Sequence, residues 1–334
     1  MSRRRVAVGS EQTWRWMGHA MVNGSRALAV TGAGSLALAG ACLCLHLFDG
    51  RTLEGASVWL KPFKFGLSGA VMALTFAAVL SALSARRLAP RWLGRVMSVC
   101  LAAELALITL QALRGVPSHF NYQTPFDAGV FQLMALFIVV LFMSMVGLLG
   151  LALWHHFEDP LLGFGLRSGL LIMVLGAGLA FAMPSQVTPA QHAALRAGQP
   201  TLIGGHAVGP VADSERVPLV GWAIRAGDLR VPHFVGLHAV QVIPLFTLWL
   251  RRQSRGSTTN TRARRALYAF VLAYAGLFTV TLAQALNGLP PWRPSPTLYV
   301  VGTCLVLCLG YVAFALHRDA TCERTCSSRP EPLP

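Results

Sequence analysis

Long apolar stretches separated by short polar segments run through most of this chain. A helix needs about 20 predominantly apolar residues to cross the hydrocarbon core of a membrane. Eight stretches meet this length and predict transmembrane helices at 27–48, 65–85, 96–114, 128–154, 163–184, 233–250, 266–287 and 296–316. The pattern therefore predicts an all-α fold, a polytopic membrane helix bundle.

The polar segments define the expected domain organisation. Residues 1–26 form a cytoplasmic N-terminal segment, 27–316 a single transmembrane domain, and 317–334 a disordered cytoplasmic tail. The only long loop covers 185–232. Within it, Thr188-Pro189-Ala190-Gln191 is a helix-start pattern that predicts a short helix ending near Ala197. No internal repeat is apparent along the chain.

Charge sets the orientation of the predicted bundle. Only 12% of the residues are charged, about half the share in a soluble domain. The net charge of +15 needs no nucleic-acid partner, because the arginines lie mainly between the apolar stretches. With a cytoplasmic N-terminus, 19 of the 28 cations fall on the inner side and nine on the outer side. This predicts cytoplasmic termini, a periplasmic long loop and a location in the bacterial inner membrane.

Lysine is rare in this chain and confined to one place. Lys61 and Lys64 are the only two lysines, and the remaining 26 cations are arginine. An ammonium is a compact point charge, whereas a guanidinium is a planar fork, so the exception indicates a site that needs the ammonium.

Two further motifs are expected on the same outer side. Arg114-Gly115-Val116-Pro117-Ser118-His119-Phe120-Asn121 follows the third span, and Gly227-Asp228-Leu229-Arg230-Val231-Pro232-His233-Phe234-Val235-Gly236-Leu237-His238 opens the sixth. Together with the lysines they bring cations, imidazoles and an acid to one membrane face. The alternative to a functional site is that these side chains only extend to the lipid headgroups.

Polar residues inside the spans favour the same half of the bundle. Glu104 is an acid at mid-span, where a charged carboxylate is costly unless it is paired or protonated, and Gln111 shares its helix face. Further polar positions near the outer ends of spans are Ser68, His238, Gln241 and Gln284. The sequence therefore predicts an outward-facing polar pocket.

The three motifs resemble those of a family of bacterial polytopic membrane proteins that carries no assigned activity. The resembling segments are Lys61-Pro62-Phe63-Lys64-Phe65, the stretch from Arg114 to Asn121, and the stretch from Gly227 to His238. The resemblance covers roughly residues 55–245 and implies a membrane location without implying a reaction.

Three functions fit this pocket. The first is a membrane redox protein with haem b near the outer face, in which His119 and His238 are axial ligands. The haem propionates would contact the cations Lys61, Lys64, Arg114 and Arg230. Glu104 and Gln111 would act as the catalytic pair and pass protons to a quinone.

The second function is a transporter or receptor for a small anion, with Glu104 as the site of a coupled proton. The third is a zinc-dependent enzyme acting on an anionic or lipid-linked substrate, with His119, His233 and His238 as metal ligands. The side chains expected to contact a substrate are Ser68, Asn121, Asp228, Gln241 and Gln284. A lipid bilayer is the partner common to all three.

Overall fold

The computed structural model describes residues 25–83, 88–209, 216–253 and 261–327. Within these ranges the α-helices are α1 (Arg26–Phe48), α2 (Leu60–Ala82), α3 (Leu88–Arg114), α4 (Pro125–Trp154), α5 (Pro160–Gly178), α6 (Pro189–Arg196), α7 (Arg230–Gln253), α8 (Thr261–Leu286) and α9 (Pro296–Ser327). The strands form two short antiparallel pairs, β1 (Thr52–Leu53) with β2 (Ala56–Ser57) and β3 (Ala207–Val208) with β4 (Gly227–Asp228). The predicted all-α class is confirmed.

Seven helices in the described part of the chain are long and apolar enough to cross a membrane, namely α1 to α5, α7 and α8. This confirms a multi-pass membrane bundle. The eighth predicted span lies in α9, whose described apolar stretch, Leu298–Val312, is shorter than the other seven. The second span begins at Leu60 rather than 65, so Lys61 and Lys64 lie inside the first turns of α2.

The ends of the chain differ in part from the prediction. The expected disordered tail, 317–334, is helical as far as Ser327, because no glycine or proline interrupts the sequence between Tyr311 and Ser327. Residues 328–334 lie outside the described part, as does the predicted N-terminal segment apart from residues 25 and 26.

Side-chain caps explain where several helices begin. The Asp159 carboxylate accepts hydrogen bonds from the Leu161 and Leu162 amides at the start of α5, and Pro160 occupies the first helical position. At α6, the Thr188 hydroxyl and the Gln191 side chain form a reciprocal capping box. The short helix predicted inside the long loop is therefore confirmed.

The chain divides into two compact units instead of the single domain predicted for 27–316. The first unit comprises residues 1–151 and 187–203, and the second comprises 152–186 and 204–334. In the first, α2 packs along α1, and Gly66 lies directly against the Ser35 carbonyl of α1. In the second, α7 packs along α5, where Gly236 lies against Gly176. Small residues permit such close backbone approach between membrane helices.

The two units repeat the same succession of elements, so the expectation of no internal repeat is wrong. In each unit a strand precedes the second long helix, α2 or α7, and proline is the third residue of that helix. Pro62, Gly66 and Leu67 of α2 match Pro232, Gly236 and Leu237 of α7. Both glycines occupy the helix–helix contact described above.

The corner after the third long helix repeats most clearly. Its sequence is Gln111-Ala112-Leu113-Arg114-Gly115-Val116-Pro117 after α3 and Gln284-Ala285-Leu286-Asn287-Gly288-Leu289-Pro290 after α8. Both glycines have φ of 70°, and each donates its amide to the carbonyl of the matching alanine at 3.0 Å. A hydroxyl residue then caps the fourth helix, Thr124 before Pro125 and Ser295 before Pro296. The two units thus share the start of their second long helix and the corner between their third and fourth long helices.

A charged contact fixes the hairpin between α1 and α2. The Arg51 guanidinium donates to both carboxylate oxygens of Asp49, and the Trp59 indole donates to Asp49 Oδ2 at 2.8 Å. Arg51 also donates to the Leu113 carbonyl at the end of α3, at 2.8 Å. These donors stabilise the ionised form and hold the pKa of the Asp49 carboxyl well below its usual range.

The Asp49→Asn variant is expected to melt at a lower temperature than the wild type near neutral pH. Because the folded-state pKa is depressed, the ionised carboxylate stabilises the fold above the unfolded pKa of about 3.9, and this stability is lost as the pH falls below it. The gap in melting temperature should therefore narrow on acidification. Thermal unfolding in detergent from pH 7 to 3, with the exposed-acid control Glu158→Gln, measures it. A gap that stays constant contradicts the assignment.

Candidate functional site

Two of the three predicted motifs meet in the first unit. The Lys61 ammonium, in the first turn of α2, lies 3.2 Å from His119 Nδ1 in the loop between α3 and α4. The Ser118 hydroxyl lies 3.0 Å from the same nitrogen. Because an ammonium has only donors, Nδ1 accepts the hydrogen bond and the imidazole carries its proton on Nε2. His119 is therefore poised as a hydrogen-bond donor through Nε2.

Aromatic rings surround the His119 imidazole. Its centroid lies 6.0 Å from that of Phe65, 6.1 Å from Phe120 and 6.3 Å from Phe131. Burial among these rings, reinforced by the Lys61 charge, lowers the pKa of His119 well below its ordinary value. The imidazole is thus neutral at physiological pH.

The backbone of the His119 loop is fixed by its own side chains and by the segment after α6. Phe120 adopts a left-handed conformation, with φ of 61°. The Asn121 amide donates to the Pro117 carbonyl at 3.0 Å, and its oxygen accepts from the Gln123 amide at 3.0 Å. The Ile203 amide donates to the Phe120 carbonyl at 2.8 Å. Asn121 is fully buried and stabilises the loop through these contacts, and the substrate contact expected of it stays a prediction.

Glu104 is the most unusual group in this unit. It lies in the middle of α3 with 6% of its surface exposed, and its Oε1 atom has no hydrogen-bond partner. The positive charge of Lys61 favours the ionised form of this carboxyl. A buried carboxyl oxygen without a partner costs free energy that packing alone does not recover. This identifies Glu104 and Lys61 as the core of the site.

Gln111 and Arg114 contact an acid that the sequence reasoning missed. Both donate to Oδ1 of Asp127 in the first turn of α4, Gln111 from Nε2 at 3.0 Å. The Thr124 hydroxyl donates to Asp127 Oδ2 at 2.6 Å. The available signal was the cap pattern Thr124-Pro125-Phe126-Asp127, with an acid in the first helical turn. Gln111 and Arg114 therefore stabilise the α3–α4 corner through Asp127, and their catalytic and propionate-binding roles stay predictions.

Two other predicted residues of the first unit, Ser68 and Lys64, also lie on α2. Ser68 is exposed and donates to the Phe65 carbonyl of its own helix. Lys64 is half-buried one turn after Lys61.

The third motif belongs to the second unit and is used largely for local structure. The buried Asp228 carboxylate accepts from the Arg230 guanidinium at 2.6 Å and from the Ala223 amide at 2.9 Å. The His233 imidazole Nδ1 bonds the Gly176 carbonyl at 2.8 Å, across the α5–α7 contact. Asp228, Arg230 and His233 thus each have a partner within the protein, and the substrate, propionate and metal contacts expected of them stay predictions.

The remaining predicted residues of this unit are Gln284, Gln241 and His238. Gln284 donates to the Arg293 carbonyl and accepts from the Ser295 hydroxyl, both at 2.7 Å, and so holds the repeated corner. Gln241 is half-buried and His238 exposed along α7.

The second unit shows which residues the repeated design does not need. Val231 precedes the matching proline where Lys61 stands in the first unit, and Leu277 stands seven residues before Gln284, as Glu104 does before Gln111. The loop from Gln111 to Thr124, which carries His119, is two residues longer than that from Gln284 to Ser295. The scaffold therefore forms without the Lys61, Glu104 and His119 group, and this favours a functional role over a structural one.

The described residues contain no group of three or more His, Cys, Asp or Glu side chains that could hold a metal ion. The predicted zinc and haem ligands are divided between the units, with His119 in the first and His233 and His238 in the second. Comparison of the chain with protein-family models, with curated proteins and with solved structures finds no match.

Proposed function

We propose that this chain is a bacterial inner-membrane protein that binds a small anion at Lys61 and His119 and links its binding to protonation of Glu104, as a proton-coupled transporter or receptor does. The buried, unpartnered Oε1 of Glu104 within reach of the Lys61 ammonium is the observation that carries the proposal. Ionisable groups at such depth in a membrane protein typically belong to proton or substrate pathways.

The coupling follows because the Lys61 ammonium interacts with both the bound anion and the Glu104 carboxylate. When no anion is bound, the Lys61 charge favours the ionised form of Glu104, which burial of the carboxyl disfavours. When an anion occupies the ammonium, this support is lost and the ionised fraction of Glu104 takes up protons. By linkage, a lower pH then strengthens anion binding to the same extent that the anion favours protonation.

The other groups around Lys61 suit an anion. The Ser118 hydroxyl lies 3.0 Å from the same His119 nitrogen that the Lys61 ammonium contacts, so a second donor adjoins the ammonium. Small oxyanions, with several acceptor atoms each, fit this donor set.

Calorimetric titration of the full-length protein in detergent tests the proposal. The probes are inorganic phosphate, sulfate, nitrate and succinate, each titrated in two buffers of different ionisation enthalpy. Wild-type protein is expected to bind at least one of them and, in titrations repeated from pH 7 to 9, to take up at most one proton per bound anion, with the uptake largest on the alkaline side. Glu104→Gln is expected to bind the anion without proton uptake, whereas the exposed control Glu158→Gln behaves as wild type. Absence of binding by all four probes, or proton uptake that persists in Glu104→Gln, overturns the proposal.

A further inference from the structure

Asp127 lies beside the His119 loop without contacting His119 itself. Its carboxylate is buried, with 3% of the side chain exposed, at the point where the loop enters α4. It accepts hydrogen bonds from Gln111 and Arg114 at the end of α3 and from Thr124 just before α4. One carboxylate thus holds both ends of the loop together.

The corresponding corner of the second unit is held without any charge. There Gln284 accepts from the Ser295 hydroxyl, and Asn287 and Leu298 occupy the places of Arg114 and Asp127. That corner has the same glycine geometry but a loop two residues shorter and without a histidine. The charged contacts of Asp127 therefore occur at the corner with the longer loop that carries His119. The corner of the second unit forms without such contacts.

We infer that Asp127 is a positioning residue, which through Arg114 and Gln111 holds the loop so that His119 stays against Lys61. The Arg114 guanidinium is also packed over the Phe126 ring, 4.6 Å from its centroid, which fixes the cation from its other side. A buried carboxylate with several donors keeps a single arrangement, because each donor loses its partner when the loop shifts. The relevance of this inference to anion binding rests on the proposed function, but the test of the inference does not require an anion.

The test observes the His119 imidazole directly. Full-length protein labelled with ¹⁵N-histidine is titrated in detergent from pH 8 to 4, and the His119 resonances are identified by their loss in His119→Gln. In the wild type, the groups facing this ring are the Lys61 ammonium, the Ser118 hydroxyl and the Phe65, Phe120 and Phe131 rings. They keep the ring neutral through most of this range, with the proton on Nε2.

In Asp127→Asn the loop is expected to move away from Lys61, and the His119 midpoint to rise toward its ordinary value by about one pH unit or more. Arg114→Gln, a half-exposed position that tolerates substitution more easily, is expected to shift it in the same direction. Asp127→Glu should restore part of the wild-type behaviour. Ser295→Ala, at the equivalent corner of the second unit, should leave the His119 titration unchanged.

An unchanged His119 titration in folded Asp127→Asn, or in folded Arg114→Gln if the first variant does not fold, overturns the inference. An equal shift in Ser295→Ala also overturns it, because a general loss of stability would then explain the effect. Both results are independent of whether any anion binds, so failure of the proposed function and failure of this inference are distinguishable.

Discussion

Replacement of Lys61 by methionine is expected to weaken anion binding by about 10- to 150-fold and to abolish the linked proton uptake. A charge-assisted hydrogen bond contributes about 1.5–3 kcal/mol, and each 1.4 kcal/mol corresponds to a factor of ten. Methionine retains the length of the side chain without the charge, so Glu104 keeps a neutral form with or without the anion. Titration of the anion that binds the wild-type protein measures both quantities.

The matched control for this experiment is Val231→Met, which introduces the same side chain at the equivalent position of the second unit. It should retain wild-type affinity and proton uptake. If Lys61→Met binds the anion as tightly as the wild type while remaining folded, the ammonium is not part of the binding site.

A single methyl group at Gly236 is expected to destabilise the protein by about 1–3 kcal/mol or more, the range found for overpacked cores. A Cβ atom at this position would lie 2.5 Å from the Gly176 Cα and 3.1 Å from the Gly176 nitrogen. Both are backbone atoms, so no side chain can turn aside and α5 and α7 have to separate. The melting temperature of Gly236→Ala in detergent measures the loss.

Gly40→Ala provides the comparison, because a Cβ atom at Gly40 meets nothing within 4 Å. Alanine favours a helix over glycine by up to about 1 kcal/mol, so this variant should be as stable as the wild type or more stable. Equal melting temperatures for the two variants would show that the close contact between α5 and α7 does not limit stability.

Hydropathy and cap patterns made much of the fold predictable from the sequence. Apolar length alone locates seven of the spans, since a membrane helix must satisfy its backbone internally over its full width. The Thr188 and Gln191 pattern locates α6 for an equally local reason. The rarity of lysine and the depth of Glu104 point to the site, because both depend on residue type rather than on long-range packing.

The partners of these residues were not predictable by the same means. Asp127 looks like an ordinary helix-start acid, and only the fold shows that Gln111 and Arg114 reach it. His233 has the composition of a metal ligand but serves the Gly176 carbonyl, because close helix packing leaves that carbonyl accessible. The repeat escaped detection because apolar spans of similar composition conceal a few matched positions, and its clearest signature lies in a corner outside them.

The two corners built on Gln111 and Gln284 have a consequence for experiments on this chain. One polypeptide forms the same bend twice with different side chains, so the second unit shows which neutral residues the shared geometry accepts. Valine at the place of Lys61, leucine at that of Glu104 and asparagine at that of Arg114 are the residues present in the second unit. Introducing them singly into the first unit separates chemistry from architecture without relying on alanine, whose smaller volume leaves cavities of its own.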